Sequence, residues 1–442
     1  MTAILGWGRY PIVDTEMIRP RTMDAAQRAT VRGDQTVARG NGRAYGDAAI
    51  GGRQTISMTH LNRLRSFDAE KGVVTVESGL LLSDIIDTFL PRGLFPYVVP
   101  GTSLITVGGA IAADVHGKNH HQEGGFGEYV ESIVLAVPTG ETIRASRDEH
   151  PDLFHATIGG MGLTGTILEA AIRLRPVETG WIRQRTIVAK DLAAAFSAFE
   201  SSDSVTYSVA WIDCLARGAQ LGRSLIFLGE HARSAELHGN ALANRFPVGR
   251  TPLSVPINAP AFALNHWTVA AFNELYFRAG ARKAASPVLV PAHPYFFPLD
   301  AVGNWNRIYG RRGFIQHQSV IPTQNAQGTL AEMLGRIAKR GGSSFLAVLK
   351  KLGAGSGIIS FPVPGYTLAL DFPMRGDLFS FLDELDELVI AAGGRLYLAK
   401  DARQSRTTFE AGYPDLSRFR EIRRSTDPAG KIKSRLSERI GI

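Results

Sequence analysis

A two-lobed α+β fold is predicted by three observations. Strands and short helices alternate through glycine-rich turns in the first third, composition changes around Arg175 to Gly180, and a strand-and-helix pattern runs from there to about Gly394. At 442 residues, 44% of them hydrophobic, the chain can bury a sizeable core, and ordinary domain sizes allow roughly two or three domains. No internal repeat or low-complexity tract appears, so the order of elements carries the reading.

Thr36 to Ala38 is predicted as a strand entering a glycine-rich turn. Gly72 and Gly79 bracket the β-branched run Val73-Val74-Thr75-Val76, a second strand. From Leu80 to Leu90, Leu81, Leu82, Ile85, Ile86 and Phe89 recur at helical spacing, Ser83 and Asp84 suit the first turn, and Pro91 and Gly93 stop the helix. Ile133 to Val137 reads as a strand, Asp152 to Thr157 as a short helix and Thr166 to Leu174 as an alternating strand. Further on, strands are predicted at Thr206 to Ile212, Phe314 to Ile321, Phe345 to Leu349, Thr367 to Phe372 and Arg395 to Lys400. Two apolar stripes predict helices, one through Leu330, Met333, Leu334 and Ile337, the other through Leu378, Phe381, Leu382, Leu385 and Leu388. Ser254 to Gly280, rich in Pro, Ala and aromatics, reads as packing between lobes or as a loop-rich wall over a pocket.

Charge and cysteine content remove whole classes of function. The net +8 from 49 Lys and Arg against 41 Asp and Glu favours anionic small ligands or a lipid surface without demanding nucleic acid. Much of the excess sits between Arg418 and Arg439, where Phe419 is the single aromatic among the charges, so a solvated helical face is expected there. Cys214 is the single cysteine, which excludes internal disulfides and cysteine-rich metal sites. Met1 to Pro11 has no signal-peptide pattern and no stretch reaches the length of a membrane span. The expectation is a cytoplasmic protein, with peripheral membrane contact left open.

Three segments carry chemistry together. Arg39, Gly40, Asn41, Gly42, Arg43, Ala44, Tyr45, Gly46 and Asp47 directly follow a strand, and closely spaced glycines let successive backbone N–H groups face a pyrophosphate. Pro100 to Gly117 is built of small residues that let a large planar ligand lie along the backbone; Gly101, Gly108, Gly109 and Gly117 argue against a buried apolar helix there. Phe154 to Gly165 holds Gly160, Gly162 and Gly165 at the spacing of a dinucleotide fingerprint. That fingerprint needs a strand before and a helix after; here the order is reversed, so a Rossmann NAD site is rejected.

These segments, in this order, resemble the vanillyl-alcohol-oxidase (PCMH-type) family of FAD-binding proteins. Gly6-Trp7-Gly8-Arg9, Arg43-Ala44-Tyr45-Gly46-Asp47, His116-Gly117-Lys118-Asn119-His120-His121, Trp305-Asn306-Arg307, Ala399-Lys400-Asp401-Ala402-Arg403 and Asp427-Pro428 extend the likeness nearly end to end. The resemblance implies a PCMH-type FAD-binding domain split between residues 1–177 and 395–442, and an α+β substrate domain with an antiparallel sheet over 178–394. It implies FAD contacts at Arg39 to Asp47, Gly101, Thr106, Val107, Gly108, Gly109, Ala113, Asp114, Val115, His116, Ile167 and Tyr397. Relatives that attach flavin covalently carry a histidine where Arg43 stands, so non-covalent FAD is expected. The activity implied is oxidation at C2 of a polyprenyl-phospho-β-D-ribose, the first half of a 2′-epimerisation in cell-wall arabinan synthesis, completed by a separate NAD(P)H-dependent reductase. The alternative is an aldonolactone or alditol oxidase acting on a free sugar.

Alcohol oxidation requires a hydride path to the flavin, a proton acceptor and cations for an anionic head group. By similarity His116, Lys118, Trp211, His317, Lys350 and Lys400 wall the site, with His116 and Lys400 as catalytic candidates. His116 could accept a proton or pack on the flavin; Lys400, desolvated, could deprotonate an alcohol, or be a surface charge on an edge strand. Lys118 and Lys350 are candidates for a substrate phosphate, although adjacent Lys351 shows how a lysine there could be mere solvation. His120 and His121, without carboxylate or cysteine partners at ligand spacing, do not make a zinc site. Where a mycobacterial member of that family has Asn-Ile-Cys before Asp-Phe-Pro, this chain has Thr367-Leu368-Ala369, and His317 replaces a tyrosine. Thr367 and His317 are thus placed in the substrate wall.

Overall fold

The computed structural model describes residues 1–247, 249, 253–260, 264–341 and 346–442. The fold is α+β, and three sheets organise it. The first has the strand order Thr2–Leu5, Ile12–Ile18, Gln54–Ser57, Thr36–Arg39, antiparallel in the outer pair and parallel elsewhere. The second is antiparallel and runs Leu64–Asp68, Val73–Glu77, Thr166–Pro176, Val130–Ala136, Thr142–Ser146, with Leu94–Pro96 on the far end of Thr166–Pro176. Alternation does the sorting: Val74, Val76, Ala170 and Ile172 face one core with Leu82, Ile85, Ile86 and Phe89 of the helix Leu82–Phe89. Each such buried aliphatic side chain contributes about 1.5–3 kcal/mol relative to exposure.

The third sheet has eight antiparallel strands in the order Val288–Pro291, Trp181–Ala189, Ser224–His231, Tyr207–Ile212, Ala347–Leu352, Gly365–Pro373, Phe314–Pro322, Arg395–Leu396. Helices Leu192–Ser201, Thr323–Arg340 and Leu378–Ala391 cover one face, burying Leu330, Met333, Leu334, Leu382 and Leu385 against Leu349, Leu368 and Leu370. The opposite face is the one that matters for chemistry. Because directly paired residues share a face, the pairs Trp211↔Val348, Lys350↔Thr367, Gln318↔Ala369 and Gln316↔Asp371 put one residue set on that side.

After Leu396 the chain forms the helices Arg406–Gly412, Leu416–Thr426 and Arg435–Ile440, which pack with Met161, Leu163 and Ile359 in a separate core. The tail also clips onto the first sheet, Thr36 N donating to Lys431 O and Lys433 N to Thr36 O, both at 2.9 Å.

Three expectations need correction. The strand expected over Arg395 to Lys400 stops at Leu396; Lys400 lies in a turn where its N–H reaches Tyr397 O at 2.9 Å. Pro100 to Gly117 does contain a short buried helix, Val107–Ala112, whose N-cap Thr106 accepts from Gly109 N. Its glycines serve close packing rather than helix breaking, since a Cβ on Gly108 would come within 2.9 Å of Ser78 Cβ. The Ser254 to Gly280 stretch is helical from His266 onward, in the helix His266–Lys283. Phe345 of the strand expected from Phe345 to Leu349, and residues 261–263 of that Pro-, Ala- and aromatic-rich stretch, lie outside the described residues.

Candidate active site

The three glycine-rich stretches converge on one cleft of about 510 Å³. Strand Thr36–Arg39 delivers Gly40, Asn41, Gly42, Arg43, Ala44 and Tyr45 to its wall. Gly40 must be glycine because a Cβ there would overlap Thr106 Oγ1, and Gly42 adopts φ +65° with Arg39 directly beneath it. The second stretch contributes Gly101, Thr106, Gly108, Gly109, Ala113, Val115 and His116; the third contributes Met161, Gly162 and Gly165. Backbone bonds join the last two, Gly159 N to Ile111 O at 3.0 Å and Met161 N to Ala112 O at 2.8 Å. A helix, Pro151–Thr157, precedes this third stretch and the strand Thr166–Pro176 follows it. Ile167 and Tyr397 complete the lining, with the Tyr397 hydroxyl donating to Ala113 O at 2.9 Å.

The cleft's donor chemistry fits a bound dinucleotide. Three buried polar atoms of residues that line it, Arg43 Nε, Ser78 Oγ and His116 Nδ1, have no hydrogen-bond partner among the described residues, and burying such groups unpaired costs free energy that a polar ligand would recover. A Cβ on Gly101 would meet no protein atom within 4 Å, so bare backbone faces the cleft there. Burial sets the Arg43 guanidinium below its usual pKa, against the opposing influence of Asp300 and Tyr45.

Several predicted contacts lie behind the wall instead. Arg39 supports the loop from beneath, donating from Nη2 to Leu5 O at 2.7 Å and from Nη1 to Ala49 O at 3.3 Å. Gly46 is pressed against the Asp401 carbonyl, Asp47 is ion-paired to Arg439 at 2.8 Å, and Val107 is fully buried in the core. Asp114 accepts from Gly127 N at 3.0 Å, Ser356 N at 3.1 Å and Ser360 Oγ at 2.6 Å, a brace beneath the His116 loop. These five residues do not line the cleft.

At the Tyr397 end the reactive side chains gather. His116 is buried against the stacked rings of Tyr397 and Phe361, and its Nε2 lies 3.0 Å from Gln318 Nε2. With the Gln318 amide nitrogen donating there and to Thr367 Oγ1 at 3.2 Å, His116 Nε2 is an acceptor and the proton sits on Nδ1. Burial, then Lys350, His120 and Lys400, hold the His116 pKa well below its usual value, so the ring is neutral. Lys400 places its ammonium 3.5 Å from the centroid of the Tyr45 ring; burial pulls its pKa down to about 7, with Asp371 opposing and Lys350 adding to the effect. Lys350 is lowered to about 8 by burial. Asp371, raised to about 7 by burial, accepts from Gln316 Nε2 at 2.6 Å and from the Tyr309 hydroxyl at 3.1 Å.

Of the residues expected to wall the substrate, Lys350 lines the cleft and Thr367 stands behind it on Gln318. Lys118 does not line it: its ammonium is capped by the Tyr295 carbonyl and sits over the Tyr295 ring at 4.1 Å. Trp211 shares the chemical face of the sheet but packs on Tyr276 with ring centroids 4.9 Å apart, outside the cleft. His317 points through the sheet to its helical side, 3.0 Å from Asp386, which Arg403 also contacts at 2.6 Å. The period of two explains this, because neighbours Gln316 and Gln318 both face the cleft. Those glutamines, Asp371 and Asp300 were not picked out from the sequence, and Trp7 and Trp305 only as parts of motifs; the period of two along Phe314–Pro322 puts both glutamines on one face without saying which face meets the cleft. No group of His, Cys, Asp and Glu suited to a metal ion occurs among the described residues.

Comparison with known proteins adds two family matches, an FAD binding domain over residues 20–146 and D-arabinono-1,4-lactone oxidase over residues 372–440. Decaprenylphosphoryl-beta-D-ribose oxidase of Mycolicibacterium smegmatis is 38% identical over 99% of this chain and 97% of its own length. An uncharacterized protein of Streptomyces coelicolor is 35% identical over 82% of this chain and all of its own. L-galactono-1,4-lactone dehydrogenase 2 of Oryza sativa subsp. japonica matches at 28% over 34% of this chain and 25% of its own length.

Proposed function

This chain belongs to the decaprenylphosphoryl-β-D-ribose oxidase family of FAD-dependent oxidoreductases, and within that family we propose that it oxidises the C2 hydroxyl of a polyprenyl-phospho-β-D-ribose to the 2-keto form. A separate NAD(P)H-dependent reductase would then complete the 2′-epimerisation that arabinan synthesis requires. The observation that carries the reading is the buried pair of amines, Lys400 and Lys350, beside neutral His116 at one end of the cleft.

FAD, expected to bind without a covalent link because arginine occupies position 43, would supply the hydride acceptor. Lys400, with a pKa near operating pH, takes the hydroxyl proton as general base. Asp371 opposes the loss of charge on Lys400 and steadies the ammonium that results. His116 is better placed to donate from Nδ1 than to accept, because Gln318 occupies its Nε2. Lys350, with Thr367 and Gln318 beside it, orients the sugar hydroxyls. Lys118, Trp211 and His317 are assigned supporting roles behind this wall, in keeping with their contacts to Tyr295, Tyr276 and Asp386. Cofactor-binding would rest on the glycine stretches of 1–177 and on Tyr397 from 395–442, with residues 178–394 supplying the substrate side; the origin of the lining residues supports this division. No helix of the described residues is long and apolar enough to cross a membrane.

The match to D-arabinono-1,4-lactone oxidase over 372–440 gives a second reading, oxidation of a free sugar or its lactone. Anaerobic titration separates the two. Polyprenyl-phospho-ribose should bleach the oxidised flavin absorbance, whereas free ribose and galactonolactone should not; bleaching by galactonolactone alone would transfer the assignment to the second reading. Flavin released on denaturation should pass through a membrane that retains protein.

A further inference from the structure

Every FAD contact expected from the sequence lies in 1–177 or 395–442, yet the substrate side also reaches the cleft. Six of the seven residues from Leu299 to Trp305 line it. This strap is fastened to the first lobe at both ends. At one end Asn306 Nδ2 donates to Trp7 O at 3.0 Å, and the Trp7 and Trp305 rings meet edge-on with centroids 5.9 Å apart. At the other end Asp300, itself buried, accepts from Thr102 Oγ1 at 2.6 Å, Ser103 N at 2.7 Å and Ser103 Oγ at 2.9 Å, partners 198 and 197 residues away in the chain.

Where those three bonds fall is what gives them a consequence. Thr102 and Ser103 follow Gly101, at which bare backbone faces the cleft, and lead into Leu104, Ile105 and Thr106, which line it as well. The first lobe holds the same stretch through Asn41 Nδ2, which donates to Leu104 O at 2.9 Å. The main chain that a cofactor would lie against is therefore fixed by one side chain from each lobe. Hydrogen bonds to a carboxylate are roughly twice as strong as neutral ones, and leaving a buried acceptor unpaired costs more than the bond itself. Asp300 also sits close enough to Arg43 to oppose the effect of burial on that guanidinium. His116 and Lys400 take their shifts from other groups, so Asp300 acts on the cofactor wall rather than on the reactive end.

We infer that Asp300 is a positioning residue for FAD, contributed by the substrate side: its carboxylate clasps the Thr102–Ser103 main chain across the lobe boundary, and FAD release requires the Leu299–Trp305 strap to lift. The inference rests on the FAD reading and is independent of which alcohol is oxidised.

FAD release from the loaded enzyme is followed by flavin fluorescence after dilution, for wild type, Asp300→Asn, Ser103→Ala and the double variant. Asparagine keeps one acceptor oxygen of two, so Asp300→Asn should speed release roughly tenfold. Ser103→Ala gives up one bond of three from behind the wall and should speed it roughly threefold. The double variant should stay within about twofold of Asp300→Asn, because both substitutions open the same clasp. Release within about 1.5-fold of wild type in Ser103→Ala and in Asp300→Asn overturns the inference even where the melting temperature falls, since Asp300 then serves the fold alone; should Asp300→Asn not fold, Ser103→Ala decides by the same limit. Slower release in Asp300→Asn also overturns it, because the charge would then repel the cofactor's phosphates more than the clasp retains them, and so do fully multiplicative effects in the double variant. A protein that takes up no FAD would sink the flavin reading instead. Hydrogen exchange at the Ser103 and Leu104 amides would still decide the clasp: faster exchange in unloaded Asp300→Asn than in unloaded wild type supports it, and equal exchange overturns it.

Discussion

Lys400 owes its usefulness to where a turn leaves it. Its ammonium is buried against the face of Tyr45 and loses solvation, so the neutral form is populated near pH 7. A base must be unprotonated, so the rate of anaerobic flavin reduction should rise with pH through about 7 and level off above it; a flat profile would remove Lys400 from that role. Because Asp371 titrates in the same range, the apparent value belongs to the pair. Lys400→Met should slow reduction by about 100-fold or more while FAD stays bound, read by stopped-flow absorbance. Gly101 tests the cofactor wall independently. Since an added side chain there meets no protein atom within 4 Å, Gly101→Val should leave the apoprotein's melting temperature unchanged and weaken FAD, as measured by fluorescence of released flavin. Lys400, His116 and the glycines were legible in the sequence as residue types. Asp371 was not singled out, because an acid inside an apolar strand gives no sign of which polar partners it will find.

At the scale of elements, the strand Phe314–Pro322 decides which side chains reach the cleft. Gln316 and Gln318 face the cleft, while His317 faces Asp386 on the helix Leu378–Ala391. His317→Leu should therefore cost about 1–3 kcal/mol of stability with little change in reduction rate, by denaturant unfolding and stopped-flow respectively. Gln318→Leu should do the reverse, slowing reduction because His116 and Thr367 lose their shared partner. Strand positions were readable from alternation, but which parity faces the ligand was not: both parities here are buried, His317 at 2% exposure and Gln318 at 5%, so burial pattern alone could not choose. The turn at Lys400 was missed for a related reason, since an apolar run of Leu396, Tyr397, Leu398 and Ala399 reads as a strand whether or not it stays extended.

Across the whole molecule, the C-terminal helix Arg435–Ile440 locks both halves of the site together. Arg439 bridges Asp47 of the phosphate-type loop at 2.8 Å and Asp401, next to Lys400, at 2.9 Å. Both carboxylates are buried, so Arg439→Met leaves two like charges adjacent and unpaired. The expected loss is roughly 3 kcal/mol, discounted because the arginine itself is partly exposed, visible as a lower unfolding midpoint together with faster FAD loss. The basic tail had been expected to be a solvated face; Arg418 and Arg424 are indeed exposed, but Arg439 is the clamp.

By itself the sequence determined the family, the flavin and the glycine stretches that line the cleft, because main-chain clearance depends on missing side chains and those are written in one dimension. Tertiary structure alone decided the roles of Lys118, His317, Asp371 and Arg439. Each depends on which partner, tens to hundreds of residues away in the chain, burial brings within hydrogen-bonding distance, and that pairing fixes whether a charge is spent inside the fold or left for the ligand.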